Sequence, residues 1–270
     1  MVIPFVKMHG AANDFVVIDH RARFLPPDVS DLVRRLCDRR RGVGADGVLL
    51  LEQGISADAL MRYFNADGGA ADYCGNGARC LARFALDRGL GHDGRLTLET
   101  AVGPQDAVRE GDSIRLHFGR VEAPSEAMSV ETEGRTFDGR FVLAGVPHFV
   151  TATPSLETVP IRDWAPPVRH HHRFAPNGAN VDFVARRGPG AVAMRTWERG
   201  VEGETLACGS GAIATALWAA AEGESSPVRV RTAGGDDLIV TFETRGPVYD
   251  VTLTGPAVVV FEGTWREPQA

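Results

Sequence analysis

The chain has 270 residues, of which 44% are hydrophobic and 24% are charged, and its formal net charge is -6. This length and composition are typical of a globular protein with room for two domains. The negative charge and the lack of a long basic run disfavour nucleic acid or an anionic membrane as the main partner, so we expect a small-molecule substrate.

The first residues and the cysteine content together predict where in the cell the protein is located. The first residues lack the pattern of a signal peptide, and no stretch reaches the roughly 18 apolar residues of a membrane helix. The four cysteines are too few and too scattered for a disulfide framework. We therefore expect a cytoplasmic protein with free thiols.

The first predicted elements are two strands within residues 2–19, separated by a break at 10–13. A helix follows, with Asp28 or Ser30 as its cap and an end near Gly42. The run Arg39-Arg40-Arg41 is expected to be a solvated group of cations at that helix end. Short strands are predicted at 48–52 and 60–65. The helix after Cys74 is expected to be only partly solvated, with three charged residues on one face: Arg79, Arg83 and Asp87.

The second half predicts a different helix. Residues 212–221, after Cys208, are apolar on every side, which indicates a buried central helix surrounded by sheet. Further strands are predicted at 96–99, 114–118, 228–231, 238–242 and 251–253. The polar segment 123–126 is the expected boundary between an N-terminal lobe, residues 1–120, and a C-terminal lobe, residues 121–270, whose last strand can pack back on the first lobe.

An internal repeat is the most informative feature of the chain. The motif CGNGA at Cys74 returns as CGSGA at Cys208, 208 − 74 = 134 residues later, and a Met-Arg pair precedes each copy. Each apolar stretch after the motif ends at a glycine, Gly89 or Gly223, 15 residues beyond its cysteine. We therefore predict an α+β fold of two pseudo-symmetric lobes. Each lobe is a curved, barrel-like mixed or antiparallel sheet around a central helix, with the active site in the cleft between the lobes.

Each repeated cysteine is followed by Gly-X-Gly-Ala and a helix, so its thiol is expected at a helix N-terminus. Free N–H groups and the helix dipole there can lower a thiol pKa from about 8.5 and can hold a carboxylate. Two such units suit removal of a proton from one face of a carbon and its return to the other face. That chemistry predicts a racemase or epimerase that stabilises a carbanion without metal or pyridoxal cofactor.

The structural alternative is that these cysteines are buried core residues, as a lone cysteine usually is. The duplication of the whole motif favours a functional pair instead. Cys37 and Cys80 lie outside the matched turns and are expected to be core residues.

Seven segments resemble the diaminopimelate epimerase family over essentially the whole chain. They are KMHGAANDFVVID (7–19), RRGVGADG (40–47), FNADG (64–68), CGNGARC (74–80), PHFV (147–150), NGANVDFV (177–184) and ERGVEGETLACGSGA (198–212). The resemblance implies a homodimeric, pyridoxal-independent isomerase of lysine biosynthesis that interconverts LL- and meso-diaminopimelate.

The resemblance also implies roles for individual residues. Cys74 and Cys208 would be the acid and base, with His148 and Glu198 supporting catalysis. The remaining matched positions would bind substrate: Asn13, Asn65, Gly75, Asn76, Asn180, Glu198, Arg199, Gly209 and Ser210. Two positions depart from the pattern of many members, Val146 in place of an asparagine and Gly47 in place of an amide side chain.

Three alternatives remain open at this point. A proline or hydroxyproline racemase would share the fold, but we would expect a histidine at Asn76. A phenazine-type isomerase would lack the cysteine pair. A binding protein could use the cysteines as a redox-regulated disulfide. The GxGxxG match at 42–47 has a helix before it and a strand after it, the reverse of a dinucleotide site, and the histidines at 170–172 are expected in an exposed loop.

Overall fold

The computed structural model describes residues 1–71 and 73–267. These residues form two compact units. Unit 1 comprises Met1–His117 and the C-terminal segment that starts at Gly255, and unit 2 comprises Phe118–Thr254. Within the described residues, no helix has the length and apolar character needed to cross a membrane.

The first half of the chain forms eight strands and two helices. Their bounds are β1 (Val2–Gly10), β2 (Asn13–Asp19), α1 (Ser30–Cys37), β3 (Gly47–Gln53), β4 (Ala59–Asn65), β5 (Ala70–Ala71), α2 (Gly75–Leu86), β6 (Arg95–Thr100), β7 (Gly103–Glu110) and β8 (Ser113–Glu122).

Within the described residues, the second half forms ten strands and two helices, with a 3-10 turn at His172–Phe174. Their bounds are β9 (Met128–Thr132), β10 (Arg135–Ala144), β11 (Val146–Ala152), α3 (Ile161–Arg169), β12 (Asn180–Gly188), β13 (Ala191–Glu198), β14 (Gly203–Thr205), α4 (Gly209–Ala221), β15 (Val228–Arg231), β16 (Asp237–Arg245), β17 (Val248–Pro256) and β18 (Val258–Arg266).

The same order of strand pairing occurs in both units, which confirms the predicted duplication. In unit 1, β1–β2 is antiparallel, β2–β3 parallel, β3–β4 antiparallel, β4–β6 parallel and β6–β7 antiparallel. In unit 2, β10–β11, β11–β12, β12–β13, β13–β15 and β15–β16 repeat this series. The first strand of each series has one further partner. In unit 1 this partner is β18, near the end of the chain, which pairs with β1. In unit 2 it is β9, which directly precedes β10 and pairs with it.

Each sheet packs around one central helix, as the sequence predicts. Helix α4 contacts strands β10, β11, β12, β13, β15 and β16, and it is buried from Gly211 to Ala219. Helix α2 contacts six strands of unit 1 in the same way. Burial of an apolar side chain such as Leu81 or Leu217 contributes about 1.5–3 kcal/mol. The central helices therefore hold the core, and their first turns are fixed in position by it.

The predicted end of α1 is wrong. The helix ends at Cys37, not near Gly42, because Asp38 adopts an extended conformation and its carboxylate accepts the N–H groups of Arg40 and Arg41. The predicted cap is also wrong, since Val29 is the N-cap and its side chain makes no capping bond. The carboxylate of Asp28 instead accepts the N–H of Ser30.

Arg79 differs from its expected, partly solvated setting, whereas Arg39 is exposed as expected. Arg79 is fully buried inside α2, where its guanidinium donates to the carbonyl of Pro256 and to the side chain of Asn76. Arg39 lies beyond α1 and forms ion pairs with Asp14 and Asp46. The sequence correctly places Cys37 and Cys80 in the core, where burial raises the pKa of each thiol to about 12.

Candidate active site

Both repeated cysteines are N-cap residues of the central helices. Cys74 has extended backbone angles, φ −144° and ψ 115°, and its Sγ accepts the N–H of Gly77 at 3.5 Å. Cys208 has φ −124° and ψ 115°, and its Sγ accepts the N–H of Gly211 at 3.4 Å. A side chain that accepts the third amide is the usual N-cap arrangement. Each thiol therefore lies at the positive end of a helix dipole.

The thiol of Cys74 faces a set of ordered amides. Its Sγ lies 3.6 Å from Oδ1 of Asn13, which also accepts Nδ2 of Asn76 at 3.2 Å. Arg79 donates to Oδ1 of Asn76 at 2.8 Å, and Nδ2 of Asn13 donates to Asp46 at 2.7 Å. Because Arg79 can only donate and Asp46 accepts, both amides have a defined orientation. The carbonyl oxygen of Asn13 is thus held toward the sulfur.

A cluster of charges anchors Asn13 from behind. Lys7 is buried, contacts the carbonyl of Gly44, and forms an ion pair of 2.6 Å with Asp14. Arg39 binds both Asp14 and Asp46. Burial alone would raise the pKa of Asp14, but the hydrogen bonds and charges of Arg39 and Lys7 outweigh it and lower the pKa to about 2. This cluster fixes the start of β2, where Asn13 lies.

The thiol of Cys208 has a different environment. Only 5% of Cys208 is exposed, and its Sγ lies 3.4 Å from the hydroxyl of Ser210. That hydroxyl lies 3.0 Å from Nε2 of His148, which is fully buried. Burial, together with the negative charges of Glu198 and Asp182, raises the pKa of the Cys208 thiol well above its usual value, although Ser210 and Gly211 oppose this shift. The expectation of a lowered pKa is therefore wrong for this cysteine, because desolvation outweighs the helix dipole.

Three strands bring the polar residues of unit 2 together. His148 on β11 bonds Asp182 on β12 at 2.7 Å through Nδ1, and Nδ2 of Asn180 lies 3.2 Å from its Nε2. Thr196 on β13 donates to Asp182 at 2.6 Å. The side-chain oxygen of Asn180 accepts the N–H of Arg199 at 2.6 Å. The register of adjacent strands thus builds a connected polar group beside α4.

Glu198 and Arg199 lie together where β13 ends. Glu198 is half-buried, and its pKa is raised mainly by burial and also by the charge of Asp182, with opposing contributions from Thr205 and His148. Arg199 donates its backbone N–H to the side-chain oxygen of Asn180. Asn65 occupies the matching end of β4, where it is exposed.

Neighbouring atoms leave little or no room for a side chain at three glycines near the site. A Cβ at Gly211 would lie 2.9 Å from Oδ1 of Asp182, so only glycine lets the carboxylate approach the first turn of α4. A Cβ at Gly77 would instead meet the side chain of Leu49 at 3.1 Å. At Gly47 the ring of Tyr63 fills the space, with Cε2 only 2.7 Å from the position of a Cβ. The backbone oxygen of Phe64 is closer still, at 2.5 Å, so a side chain at position 47 would require both neighbours to move.

The strand registers allow the two halves to be compared position by position. Tyr63 and Thr196 each lie two residues after the methionine of the repeated Met-Arg pair, and Leu49 and Asp182 are their partners on the neighbouring strand. The same registers extend the comparison across the sheets. The equivalent positions, unit 1 first, are Asn13 and Val146, Phe15 and His148, Gly47 and Asn180, Leu49 and Asp182, Tyr63 and Thr196, Asn65 and Glu198, and Asn76 and Ser210.

The structure thus places most of the predicted residues around one thiol or the other. Asn13 and Asn76 lie at Cys74, while Ser210, His148 and Asn180 form a chain of contacts that ends at Cys208. Sequence reasoning missed four residues that hold these groups: Asp46, Arg79, Asp182 and Thr196. Three of them stand inside the quoted motifs, Asp46 in RRGVGADG, Arg79 in CGNGARC and Asp182 in NGANVDFV. A polar residue within an otherwise apolar strand was the available signal for Asp182.

Solved structures share the architecture of this chain. A phenazine biosynthesis protein of the PhzF family from Bacillus anthracis has a TM-score of 0.72 at 15% identity, covering 99% of this chain and 100% of that one. A hydroxyproline epimerase from Agrobacterium vitis has a TM-score of 0.69 at 19% identity, covering 97% and 92%. The chain therefore has the duplicated fold found in epimerases and in PhzF proteins.

Sequence comparison identifies one family within this fold. The family model for diaminopimelate epimerase matches residues 5–122 and 140–260. A diaminopimelate epimerase from Desulforudis audaxviator (strain MP104C) is 40% identical, and the match covers 97% of this chain and 98% of that protein. The chain belongs to the diaminopimelate epimerase family, and it is an isomerase. The resemblance found in the sequence motifs is confirmed.

Proposed function

We propose that the protein interconverts LL- and meso-2,6-diaminopimelate by a two-base mechanism in which Cys74 and Cys208 are the acid and base. Family membership supports the substrate. The observation that carries the mechanism is that the two cysteines cap two central helices with nearly the same backbone angles. Two similar proton carriers are what inversion of a carbon centre requires, because a single base returns the proton to the face it left.

The proposed reaction transfers one proton at each thiol. A thiolate takes the hydrogen from the α carbon, which leaves a carbanion whose charge spreads onto the adjacent carboxylate. The other thiol then donates its proton to the opposite face of that carbon and becomes a thiolate. The stereocentre is inverted with no net change in protons, and the next turnover can run in the reverse direction.

First-turn amides of α2 and α4 are the proposed stabilisers of the carbanion. These amides belong to Gly75, Asn76, Gly209 and Ser210, and groups at such positions have no partner within the helix. Hydrogen-bond donors that are held in place before the reaction can stabilise developing negative charge strongly, and the loss of one costs about 2.7–4 kcal/mol in a well-studied hydrolase. No cofactor is needed in this scheme.

The remaining family positions suit a substrate with an amino-acid group at each end. Arg199 can bind a carboxylate with its planar guanidinium, while Glu198 suits an ammonium group. Asn13, Asn65 and Asn180 offer amides of both hydrogen-bonding types. His148 and Glu198 lie near Cys208 and would set the protonation of its thiol.

Deuterium exchange tests this function most directly. Purified protein is incubated in D2O, without added cofactor, with LL-diaminopimelate or with L-proline. We expect deuterium at the α carbon of diaminopimelate together with formation of the meso isomer, and no exchange in proline. Exchange in proline alone would favour the racemase alternative. The structural similarity to a hydroxyproline epimerase supports that alternative only at the level of the fold. No exchange in either substrate would favour a binding protein.

We also propose that the protein is a homodimer. Strand β18 pairs with β1, and four consecutive apolar residues at its start, Val258 to Phe261, are each 37–54% exposed. An exposed apolar strand of this kind is a frequent site of association. Sedimentation of Phe261→Asp should give a monomer, whereas Ile55→Asp, a change at an exposed residue elsewhere in unit 1, should not alter the mass. A Phe261→Asp protein that sediments as a dimer would exclude this face.

The cytoplasm is the proposed location, within the pathway to lysine and peptidoglycan precursors. All four cysteines are free thiols in the structure, and the mechanism needs two of them in that state. A reducing compartment maintains thiols. Cell fractionation with an antibody to the protein would test this, and recovery in an oxidising compartment would contradict it.

A further inference from the structure

A buried carboxylate stands behind His148 in unit 2. Asp182 is fully buried, with Oδ2 at 2.7 Å from Nδ1 of His148 and Oδ1 at 2.6 Å from the hydroxyl of Thr196. Its carboxylate also lies under the first turn of α4, against Gly211. Burial of a carboxylate is costly unless hydrogen bonds and local dipoles compensate it, and this one has both.

The amide of Asn180 shows which nitrogen of His148 carries the proton in this structure. The backbone N–H of Arg199 occupies Oδ1 of Asn180, so the amide nitrogen is the group that faces Nε2 of His148. An NH2 group can only donate, and Nε2 must therefore be an acceptor without a proton. The ring then carries its proton on Nδ1, where the carboxylate of Asp182 accepts it.

The tautomer of His148 decides what the hydroxyl of Ser210 can do. With Nε2 as an acceptor, the hydroxyl can donate to the same lone pair as Asn180, in a three-centre bond, while it accepts the S–H of Cys208. When Cys208 is a thiolate, the same hydroxyl can turn and donate to the sulfur, and Asn180 still satisfies Nε2. If the proton were on Nε2, the ring would donate to Ser210 and would also oppose the NH2 group of Asn180.

The fold itself does not require these polar residues. At the equivalent positions of unit 1, Phe15, Leu49 and Tyr63 stand where unit 2 has His148, Asp182 and Thr196. Unit 1 forms the same strand pairing around its central helix with these residues. A buried carboxylate with a histidine partner is therefore an addition to unit 2 that packing alone does not explain.

We propose that Asp182 is a positioning residue for Cys208: it holds the proton of His148 on Nδ1 and thereby keeps the Ser210 hydroxyl free to follow the protonation state of the thiol. This proposal rests on the proposed function for its kinetic consequence. Its structural part, the tautomer of His148, is independent of any substrate.

The first test measures the tautomer by nitrogen NMR on protein labelled with ¹⁵N-histidine. The His148 signals are assigned by their loss in His148→Gln. We expect a protonated Nδ1 and an unprotonated Nε2 in the native protein. In Asp182→Leu, which introduces the residue type of unit 1, the Nε2–H form should appear. A native ring protonated on Nε2, or an unchanged ring in Asp182→Leu, would overturn the proposal. Asp182→Ala, which also removes the acceptor of the Nδ1 proton and adds no bulk against α4, serves if the leucine variant does not fold, and the same criteria apply.

The second test separates positioning from stability. We expect Asp182→Asn to lower kcat by roughly 10- to 100-fold, by analogy with the loss seen when a carboxylate that orients a metal-binding histidine is replaced, with KM within about twofold. Glu52→Gln is the matched control, because Glu52 is a buried carboxylate that bonds Nδ1 of His20 at 3.1 Å in unit 1. It should lower thermal stability and leave kcat unchanged. Equal losses of kcat in the two variants would reduce Asp182 to a structural role.

The two tests also distinguish this proposal from the proposed function. If the native protein failed to epimerise diaminopimelate while NMR gave the Nδ1–H form that depends on Asp182, the function would be wrong and the positioning contact right. If the protein were active and the tautomer did not depend on Asp182, only the positioning proposal would fail.

Discussion

The two cysteine turns share a backbone and differ in almost every side chain around the sulfur. Cys74 is half-exposed and faces amides that Arg79 and Asp46 orient. Cys208 is buried and faces a hydroxyl, with a histidine and carboxylates behind it. The helix dipole favours a thiolate in both turns, but around Cys208 burial and negative charge outweigh it.

This difference shows which part of the duplicated unit can diverge. The central helix begins with the same type of turn and with a cysteine cap in both units, so each unit keeps a thiol beside first-turn amides. The strands beneath provide Phe15, Leu49 and Tyr63 in unit 1 but His148, Asp182 and Thr196 in unit 2. A reaction that needs one acid and one base at the same moment gains from such an asymmetry, because two thiols with different pKa values hold a single proton between them over a wider range of pH than two thiols with the same pKa.

The largest expected effect comes from removal of either thiol. Cys74→Ala and Cys208→Ala should each lower the rate of epimerisation by about 10²- to 10⁴-fold, the range for loss of one acid or base, with the fold retained. Initial rates with LL-diaminopimelate and circular dichroism measure the two properties. Cys37→Ala, which removes a core thiol, should keep its activity. Near-normal turnover in either of the first two variants would show that the thiols do not form a pair.

Much of the fold could be predicted because the repeat constrains it. Two copies of one motif require two copies of one supersecondary unit, and the apolar run at 212–221 identified a buried central helix. The end of α1 could not be predicted, since it depends on how the carboxylate of Asp38 folds back onto two amides. Helical spacing placed Arg79 on a charged face. Its partner Pro256 is 177 residues away in the sequence, so a local pattern could not predict the contact.

The site could be predicted only as far as its motifs reach. The cysteines and the amides beside them follow from the repeated pentapeptide. Asp182 and Thr196 contact each other because β12 and β13 are in a particular register, and a change of one residue in register would turn both side chains to the other face. The polar group behind His148 is therefore a product of strand pairing, which the sequence alone did not specify.

Alkylation provides a second way to challenge the contrast between the turns. At pH 7 iodoacetamide should modify Cys74 at least about tenfold faster than Cys208, since the thiolate is the reactive form and burial and negative charge raise the pKa of Cys208. As the pH rises, the thiolate fraction of Cys208 grows and the ratio should fall. Peptide mass spectrometry at a series of pH values measures both rates, and Cys80, which is fully buried, is the unreactive internal reference. Equal rates at neutral pH would remove the proposed asymmetry.

The smallest expected effect concerns Val146, the position equivalent to Asn13. Asn13 presents its carbonyl oxygen to the sulfur of Cys74, whereas Val146 has no polar atom to offer on the side of Cys208. Val146→Asn should therefore restore an amide to unit 2 and lower KM for diaminopimelate by a few-fold, since one added hydrogen bond contributes about 0.5–1.5 kcal/mol. Steady-state kinetics measures this, with Leu143→Asn as the control at an exposed residue of the same hairpin. An unchanged KM would mean that an amide at this position contributes to substrate binding only beside Cys74. The two turns would then differ in how they bind the substrate as well as in the groups that surround their thiols.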